Sequence, residues 1–466
     1  EINDTLEVPE IHHSKKIMIS YSFGMVVTEF IGTVIIMVLF IYYETEIGLS
    51  SLLTGLGLAI FAIWDAFNDT IVGYISDRPY RFTKKWGRRF PWIIGAFIPM
   101  LICFLLIFNP PKVDPQENPW IIFMWLVITT CLFDTFESMA FMNFFSLFPD
   151  KFRSDSERLK VAGFGAYFGF FGILLGMLIP PMIIVFGRSE TYFLMAILVV
   201  VICLVFWVIS IPGVRDDKEV VECFLAKCEE TESSSVFKDL SNVLKQKNLR
   251  TYMFVYFLFF VLMSTMGASF FYYVRYVLKA DASLIVLIMG LYFLGVLVAT
   301  PLWLIYVKKR RDKKQVMILG GVIMVITAIL ITFVPNFEFL LIIVFIHGMG
   351  LGGFSLMINP VFGDIIDESV IQTEKRREGL LGGLRFFVTN LARVVQALIL
   401  AFVHELTGFK EGSDTQPASA IFGIQLHIGL IPAIFLLIGL LTFWKLYDIT
   451  PNKLEQNKLK LKQLGF

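Results

Sequence analysis

The sequence predicts an all-α membrane protein of twelve transmembrane helices, arranged as two six-helix bundles. Three observations carry this expectation. Apolar residues make up 56% of the 466 residues and charged residues only 17%, against about 25% charged in a soluble protein. The apolar residues fall in twelve long runs, most of them able to cross about 30 Å of hydrocarbon as a helix. The Lys and Arg residues cluster in alternate loops between those runs. This composition excludes a secreted disulfide scaffold, a disordered chain and a large water-soluble catalytic domain. The net charge of +1 suggests no nucleic-acid partner. A lipid bilayer and a small-molecule solute are the expected partners of a monomeric chain.

The first six runs are Ile17–Tyr43, Leu52–Ser76, Pro91–Phe108, Trp120–Phe148, Val161–Phe186 and Tyr192–Ile211. The second six are Met253–Leu278, Leu284–Val307, Val316–Val334, Phe339–Val361, Leu380–His404 and Ile421–Leu446. The implied organisation is a polar tail (1–16), an N-terminal bundle (17–211), a linker (212–250), a C-terminal bundle (251–447) and a second tail (448–466). Residues 1–16 lack the basic region and short apolar core of a signal peptide. Arg78, Arg81, Lys84, Lys85, Arg88 and Arg89 follow run two, and Lys308, Lys309, Arg310, Arg311, Lys313 and Lys314 follow run eight. Basic loops stay on the cytoplasmic side. The expectation is therefore a multi-pass protein of the plasma membrane with both termini cytoplasmic. Two six-span halves also suggest a repeat about an axis along the membrane normal. A loose match supports this: Pro149-Asp150-Lys151-Phe152-Arg153 after run four against Gly363-Asp364-Ile365-Ile366-Asp367 after run ten.

Ionisable groups inside apolar spans cost about 2.5–3.5 kcal/mol each and usually face a cavity or bundle interior. Glu29 lies in run one, Asp65 and Asp69 in run two, Asp134 and Glu137 in run four. Spacings of three and four residues place each pair on one helix face. Asn68 adds an amide beside Asp69. Such carboxylates suit Na⁺, which takes several oxygen ligands, or a proton shared between like charges. The alternative is a set of structural ion pairs with Arg385 and Arg393 of run eleven, which also carries Asn390 and Gln396. Arg275 and His404 read as interfacial groups near span ends. The glycines after His347 read as helix-packing positions, since no strand precedes them to make a phosphate loop. Cys103, Cys131 and Cys203 read as buried small hydrophobes, and Cys223 with Cys228 lacks further metal ligands. No nucleotide-binding loop or catalytic triad order appears, so neither an enzyme nor a resident cofactor is expected.

Gly73-Tyr74-Ile75-Ser76-Asp77-Arg78, with Gly87-Arg88-Arg89, resembles the loop motif of the major facilitator superfamily. Trp64-Asp65-Ala66-Phe67-Asn68-Asp69, continuing to Trp86-Gly87-Arg88-Arg89-Phe90-Pro91-Trp92, resembles its glycoside–pentoside–hexuronide:cation symporter family more specifically. Tyr21-Ser22-Phe23-Gly24 leading to Glu29, Asp134, and Asp364 to Gly379 fit the same pattern, so the likeness covers nearly the whole chain. The sodium-dependent lysophosphatidylcholine transporters belong to the same broad group. The resemblance implies a major facilitator fold and alternating access. It implies a cation site (Na⁺ or H⁺) at Asp65, Asn68, Asp69 and Asp134. Glu29 and Asp134 would contact substrate, with Glu137, Ser138, Arg385, Asn390 and Arg393 as further candidates. This chain has Ser138 where the family has a sugar-stacking Trp, Gly165 at an Arg position and Asn390 at a Lys position. The cation site is thus retained while the sugar site departs.

The expected function is cation-coupled symport of a sugar, a glycoside or a related small solute. An anionic amphiphile such as a lysolipid is the alternative substrate, and a non-transporting receptor the alternative of another class. The basic loop residues Arg78, Arg88, Arg89, Arg376 and Arg377 would pair with Asp77, Asp150, Asp364 or Asp367 as a cytoplasmic gate that breaks on opening inward.

Overall fold

The computed structural model describes residues 12–76, 80, 83–152, 154–219, 221–222, 245–310, 312–334, 336–373 and 378–463. The chain divides into two compact units, residues 1–233 and 234–466. Among the described residues, twelve helices are long and apolar enough to cross a membrane, six in each unit. Among the described residues there is no strand.

The first unit holds α1 (Lys15–Ile41), α2 (Ser51–Ser76), α3 (Thr83–Trp86), α4 (Phe90–Ile107), α5 (Pro119–Lys151), α6 (Asp155–Ile183) and α7 (Ser189–Ser210). The second holds α8 (Lys247–Tyr272), α9 (Leu284–Arg310), α10 (Lys313–Phe333), α11 (Phe337–Thr373), α12 (Glu378–Thr407), α13 (Ala418–Gln425), α14 (Ile431–Leu446) and α15 (Pro451–Gln463). A π-helical turn at Leu426–Leu430 joins α13 and α14 into one span. Helix starts follow local chemistry. Ser14 caps α1 through its hydroxyl, Asp312 caps α10 by accepting from the Gln315 amide at 3.0 Å, and prolines open α4 and α5.

The two units repeat one another in their packing. In the first, α1 packs on α6 and α7, and α5 packs on α2 and α4; in the second, α8 packs on α12 and α14, and α11 on α9 and α10. The repeat extends to hydrogen bonds. After α1 a π turn places the Ile47 and Leu49 amides on the Tyr42 and Tyr43 carbonyls, with Gly48 at φ 85°. After α8 the Leu278 and Ala280 amides meet the Tyr273 and Val274 carbonyls, with Lys279 at φ 51°.

Without a hydrophobic drive between helices in lipid, close approach comes from small residues. A Cβ on Gly172 of α6 would lie 2.5 Å from the Val26 carbonyl of α1, and one on Gly176 would lie 2.5 Å from Thr33 Cβ. The α11 glycines do the same work on two sides: Gly348 meets the Tyr292 backbone of α9, and Gly350 meets the Gly320 backbone of α10. The glycine run after His347 is thus a packing seam, as its context predicted.

Three features differ from the sequence reading. α11 has 37 residues, about 55 Å at 1.5 Å each, and continues well past the expected end at Val361. Its extension is anchored by Lys313, whose Nζ lies 2.6 Å from Asp364. The end of the chain is not only a tail, because Pro451–Gln463 forms α15. Lys453 at its start donates to Glu368 and Asp448, each at 2.6 Å. Finally, neither Arg275 nor His404 is an exposed interfacial group. Arg275 is buried against Asp414 at 3.0 Å, and His404 is fully buried with its Nε2 3.0 Å from His427 Nε2.

Two outcomes are expected. Gly172→Ala should destabilise the first unit by about 1–3 kcal/mol, lowering the melting temperature in detergent. Gly163→Ala, where nothing lies within 4 Å of the new methyl, should leave it unchanged or raise it. For α15, burial pushes the Asp448 carboxyl up, but hydrogen bonds from Lys453, Asn248 and Lys247 outweigh it and hold the group at about 2. A carboxyl depressed below its unfolded value of about 3.9 stabilises the docked helix fully above pH 4 and loses that effect as pH falls toward 2. Protection factors of the α15 amides, corrected for the intrinsic pH dependence of exchange, should therefore fall on acidification across that window, and Asp448→Asn should show the low protection at neutral pH.

Candidate functional site

Asp65, Asn68 and Asp69 occupy one face of α2, and Asp134, Glu137 and Ser138 one face of α5, the helix packed against it. Asp134, Asn68 and Ser138 are all buried, which makes every unpartnered polar atom there expensive. The structure meets that demand with a cross-linked network. Asn68 Nδ2 donates to Asp134 Oδ2 at 3.0 Å and lies 3.1 Å from Ser138 Oγ. Ser138 in turn donates to Asp69 Oδ1 at 2.7 Å. Asp65, Glu137 and Asp69 stand close enough to Asp134 for their charges to act on it.

The four residues expected at a cation site are therefore one network, and Ser138 joins them. Sequence reasoning assigned Ser138 to substrate because the family places a stacking aromatic there. The signal that could have moved it is its spacing: four residues after Asp134, a hydroxyl shares the face of the acid. Nearby, Trp64 Nε1 donates to Thr135 Oγ1 at 3.2 Å, which fixes the indole across the same helix pair. Among the described residues no three Asp, Glu, His or Cys side chains converge closely enough to hold a metal ion. A bound Na⁺ would therefore draw on the Ser138 hydroxyl, the Asn68 amide or backbone oxygens beside one or two acids.

Glu29 is placed differently. Its Cβ and Cγ lie on α1 against Gly172 and Gly169 of α6. Gly165, from the same face of α6, faces Met25.

In the second unit, Arg385 of α12 lies between two rings, its Cζ 4.7 Å from the Tyr256 centroid and 4.5 Å from that of Phe362. Its Nη atoms reach Asn359 Oδ1 at 3.1 Å and the Tyr256 hydroxyl at 3.3 Å. Planar stacking of this kind holds a guanidinium in one orientation with donors to spare. Tyr256, Asn359 and Phe362 were not singled out in the sequence, because an aromatic among 48 Phe and 15 Tyr residues carries no signal of its own. Asn390 is buried on α12, and Arg393 is half-buried three residues further on.

The expected gate residues fall in three groups. Arg88 and Arg89 approach Asp150 at 3.9 and 3.8 Å, and Arg89 also reaches Asn143 Oδ1 at 3.1 Å. Asp364 is paired with Lys313 of α10, a partner the sequence did not single out. Asp367 lies half-buried on α11. Asp77, Arg78, Arg376 and Arg377 lie outside the described residues, as do Cys223 and Cys228.

Comparison with known proteins gives the context for this geometry. A family model described as MFS/sugar transport protein matches residues 20–451. The chain is 23% identical over 453 residues to a glucuronide carrier protein homolog of Escherichia coli, covering 95% of this chain and 94% of that one. It is 24% identical over 450 residues to sodium-dependent lysophosphatidylcholine symporter 1 of Gallus gallus, covering 86% and 80%. The inward-open structure of the xylose transporter XylE from E. coli shares the fold, with a TM-score of 0.61 and 16% identity over 94% of this chain and 98% of that one. With twelve spans, two repeated units and matching motifs from α1 to the end of α14, the chain belongs to the MFS/sugar transport protein family of the major facilitator superfamily, and is a multi-pass secondary transporter of small molecules rather than an enzyme.

Proposed function

We propose that the chain is a cation-coupled symporter in which Na⁺ or H⁺ binds at the α2–α5 network. The observation that carries this reading is the buried Asp134, joined through Asn68 and Ser138 to Asp69, with Asp65 one turn before Asp69 on the same face of α2. A purely structural role would call for one acid and one base. Three acids joined by an amide and a hydroxyl instead form a place where one positive charge is held and released. A non-transporting receptor would have no use for such a group at membrane depth. Cytoplasmic termini and a plasma-membrane location are part of the same reading, supported by the basic loops.

The substrate we favour is a sugar or glycoside carrying a negative charge. A fixed guanidinium between two aromatic rings, as at Arg385, suits a carboxylate next to a ring or an alkyl surface. The glucuronide carrier homolog supports a sugar acid, and the lysophosphatidylcholine symporters support a phosphate-bearing amphiphile as the second reading.

Na⁺ should raise the melting temperature of the purified protein in detergent, and Asp69→Asn should abolish the rise. Ser138→Ala should weaken apparent Na⁺ affinity by about tenfold, the loss of one ligand or positioning hydrogen bond. A stability that responds to pH and not to Na⁺, and that loses its response in Asp69→Asn, would assign H⁺. Absence of both responses would sink cation coupling.

Uptake into proteoliposomes tests the substrate class. Arg385→Gln should depress uptake of a phenyl glucuronide by tenfold or more, about 1.4 kcal/mol or above, and leave uptake of the neutral phenyl glucoside unchanged. Equal losses for both would remove Arg385 from substrate recognition.

A further inference from the structure

A cavity of about 600 Å³ opens in the first unit, away from the acid network, where α4 begins and α7 has just ended. Its lining includes Lys84, Lys85, Trp86, Arg215, Asp216 and Lys218. The walls are built rather than loose. Asp216 Oδ2 accepts from the Arg89 and Phe90 amides, both at 2.9 Å, so its charge is committed to the start of α4. Gly87, at φ 98°, passes so close to that carboxylate that a Cβ would collide with it. The Arg215 guanidinium stands 5.8 Å from the Phe90 ring centroid, and its backbone carbonyl is gripped by Lys151 Nζ at 2.6 Å.

The charge of the cavity is positive. Lys84, Lys85, Arg215 and Lys218 face Asp216 and Glu222. Among the described residues none of the four cations makes a salt bridge, while Asp216 is occupied with the α4 amides. The volume falls in the range of small-molecule sites, about 300–1,000 Å³, and far exceeds what a solvated ion needs. Trp86 stands at the rim with 59% of its surface exposed, and Lys85 Nζ lies 5.8 Å from its ring centroid. An exposed indole in the loop just before a span, with several lysines beside it, is the arrangement that seats at the headgroup level of a bilayer.

We propose that this cavity binds the phosphate-bearing headgroup of an anionic membrane lipid, with Lys84, Lys85, Arg215 and Lys218 on the phosphate and Trp86 at the glycerol level. The site is separate from the transport network, so a lipid held there would act on the α4 and α7 ends without competing for solute.

Binding of dioleoylphosphatidylglycerol to the purified full chain in detergent, followed by native mass spectrometry, tests this. Dioleoylphosphatidylcholine serves as the lipid without net charge. The triple variant Lys84→Gln, Lys85→Gln, Lys218→Gln should lose phosphatidylglycerol affinity by about tenfold or more, with an unchanged melting temperature. The control variant Lys308→Gln, Lys309→Gln, Arg310→Gln removes as many charges from the end of α9 and should change affinity less than twofold. Should the triple variant fold poorly, Lys85→Gln alone should still give a threefold loss. Displacement of the lipid by millimolar glycerol 3-phosphate would support the site and locate recognition in the phosphate, whereas its failure would assign the lipid itself. Unchanged affinity in the pocket variant, or equal losses in pocket and control variants, would overturn the proposal.

Discussion

A carboxyl group buried between helices in hydrocarbon must either bind a proton, hold a cation or meet a base, and the first unit is organised around that demand. Asp134 is met on α2 by Asp65 and Asn68 rather than by an arginine. Asn68 and Ser138 then fix the distance: one amide nitrogen and one hydroxyl tie both helices together whatever the acids bind. The α2–α5 register is therefore set by polar contacts as much as by apolar packing. A shift of one residue would turn the acids toward lipid.

Around this pair, the bundle depends on how closely its other helices approach. Gly172 and Gly176 let the α1 and α6 backbones meet, and Gly348 and Gly350 let α11 meet α9 and α10. Such seams give contact area without long side chains whose freedom would have to be lost. They also suit a protein whose helices change their packing during work, because a glycine surface is smooth to sliding. The π turns after α1 and α8, matched bond for bond in the two units, show that the repeat is finer than its sequence. There the residues are Tyr-Tyr-Glu-Thr-Glu in one unit and Tyr-Val-Arg-Tyr-Val in the other, and backbone geometry is what they share.

The twelve spans were legible because hydrocarbon leaves the backbone one economical solution, and because the apolar runs are long. The acids were legible for the complementary reason: a charge in such a run stands out. Asn68 was legible only beside its acids, and the bond from Ser138 to Asp69 was not legible, since a serine in a helix most often bonds its own backbone. Arg385 was visible but its aromatic clamp was not, because Tyr256 and Phe362 come from α8 and α11, far apart in sequence. The Lys313–Asp364 pair was hidden for the same reason. His404 was misread because its buried partner His427 lies in the next span, and two histidines 23 residues apart give no spacing signal.

The energy scale of the acid network bears on how transport could be driven. Each uncompensated charge at membrane depth costs about 2.5–3.5 kcal/mol on insertion scales. Cation binding at Asp65, Asp69 and Asp134 would relieve a penalty of that order. A coupling free energy of about 1–3 kcal/mol corresponds to a 5- to 150-fold change in the affinity of a second solute. Less than the whole relief therefore suffices if it is felt differently in the two states of the transporter. Reciprocity makes the same demand from the other side: a solute that favours one state must tighten the cation in that state by the same factor. The hydrogen bonds from Asn68 to Asp134 and from Ser138 to Asp69 are where such a difference would be expressed. They span the two helices, so a movement that separates α2 from α5 would lengthen them and would weaken the hold on a cation bound there.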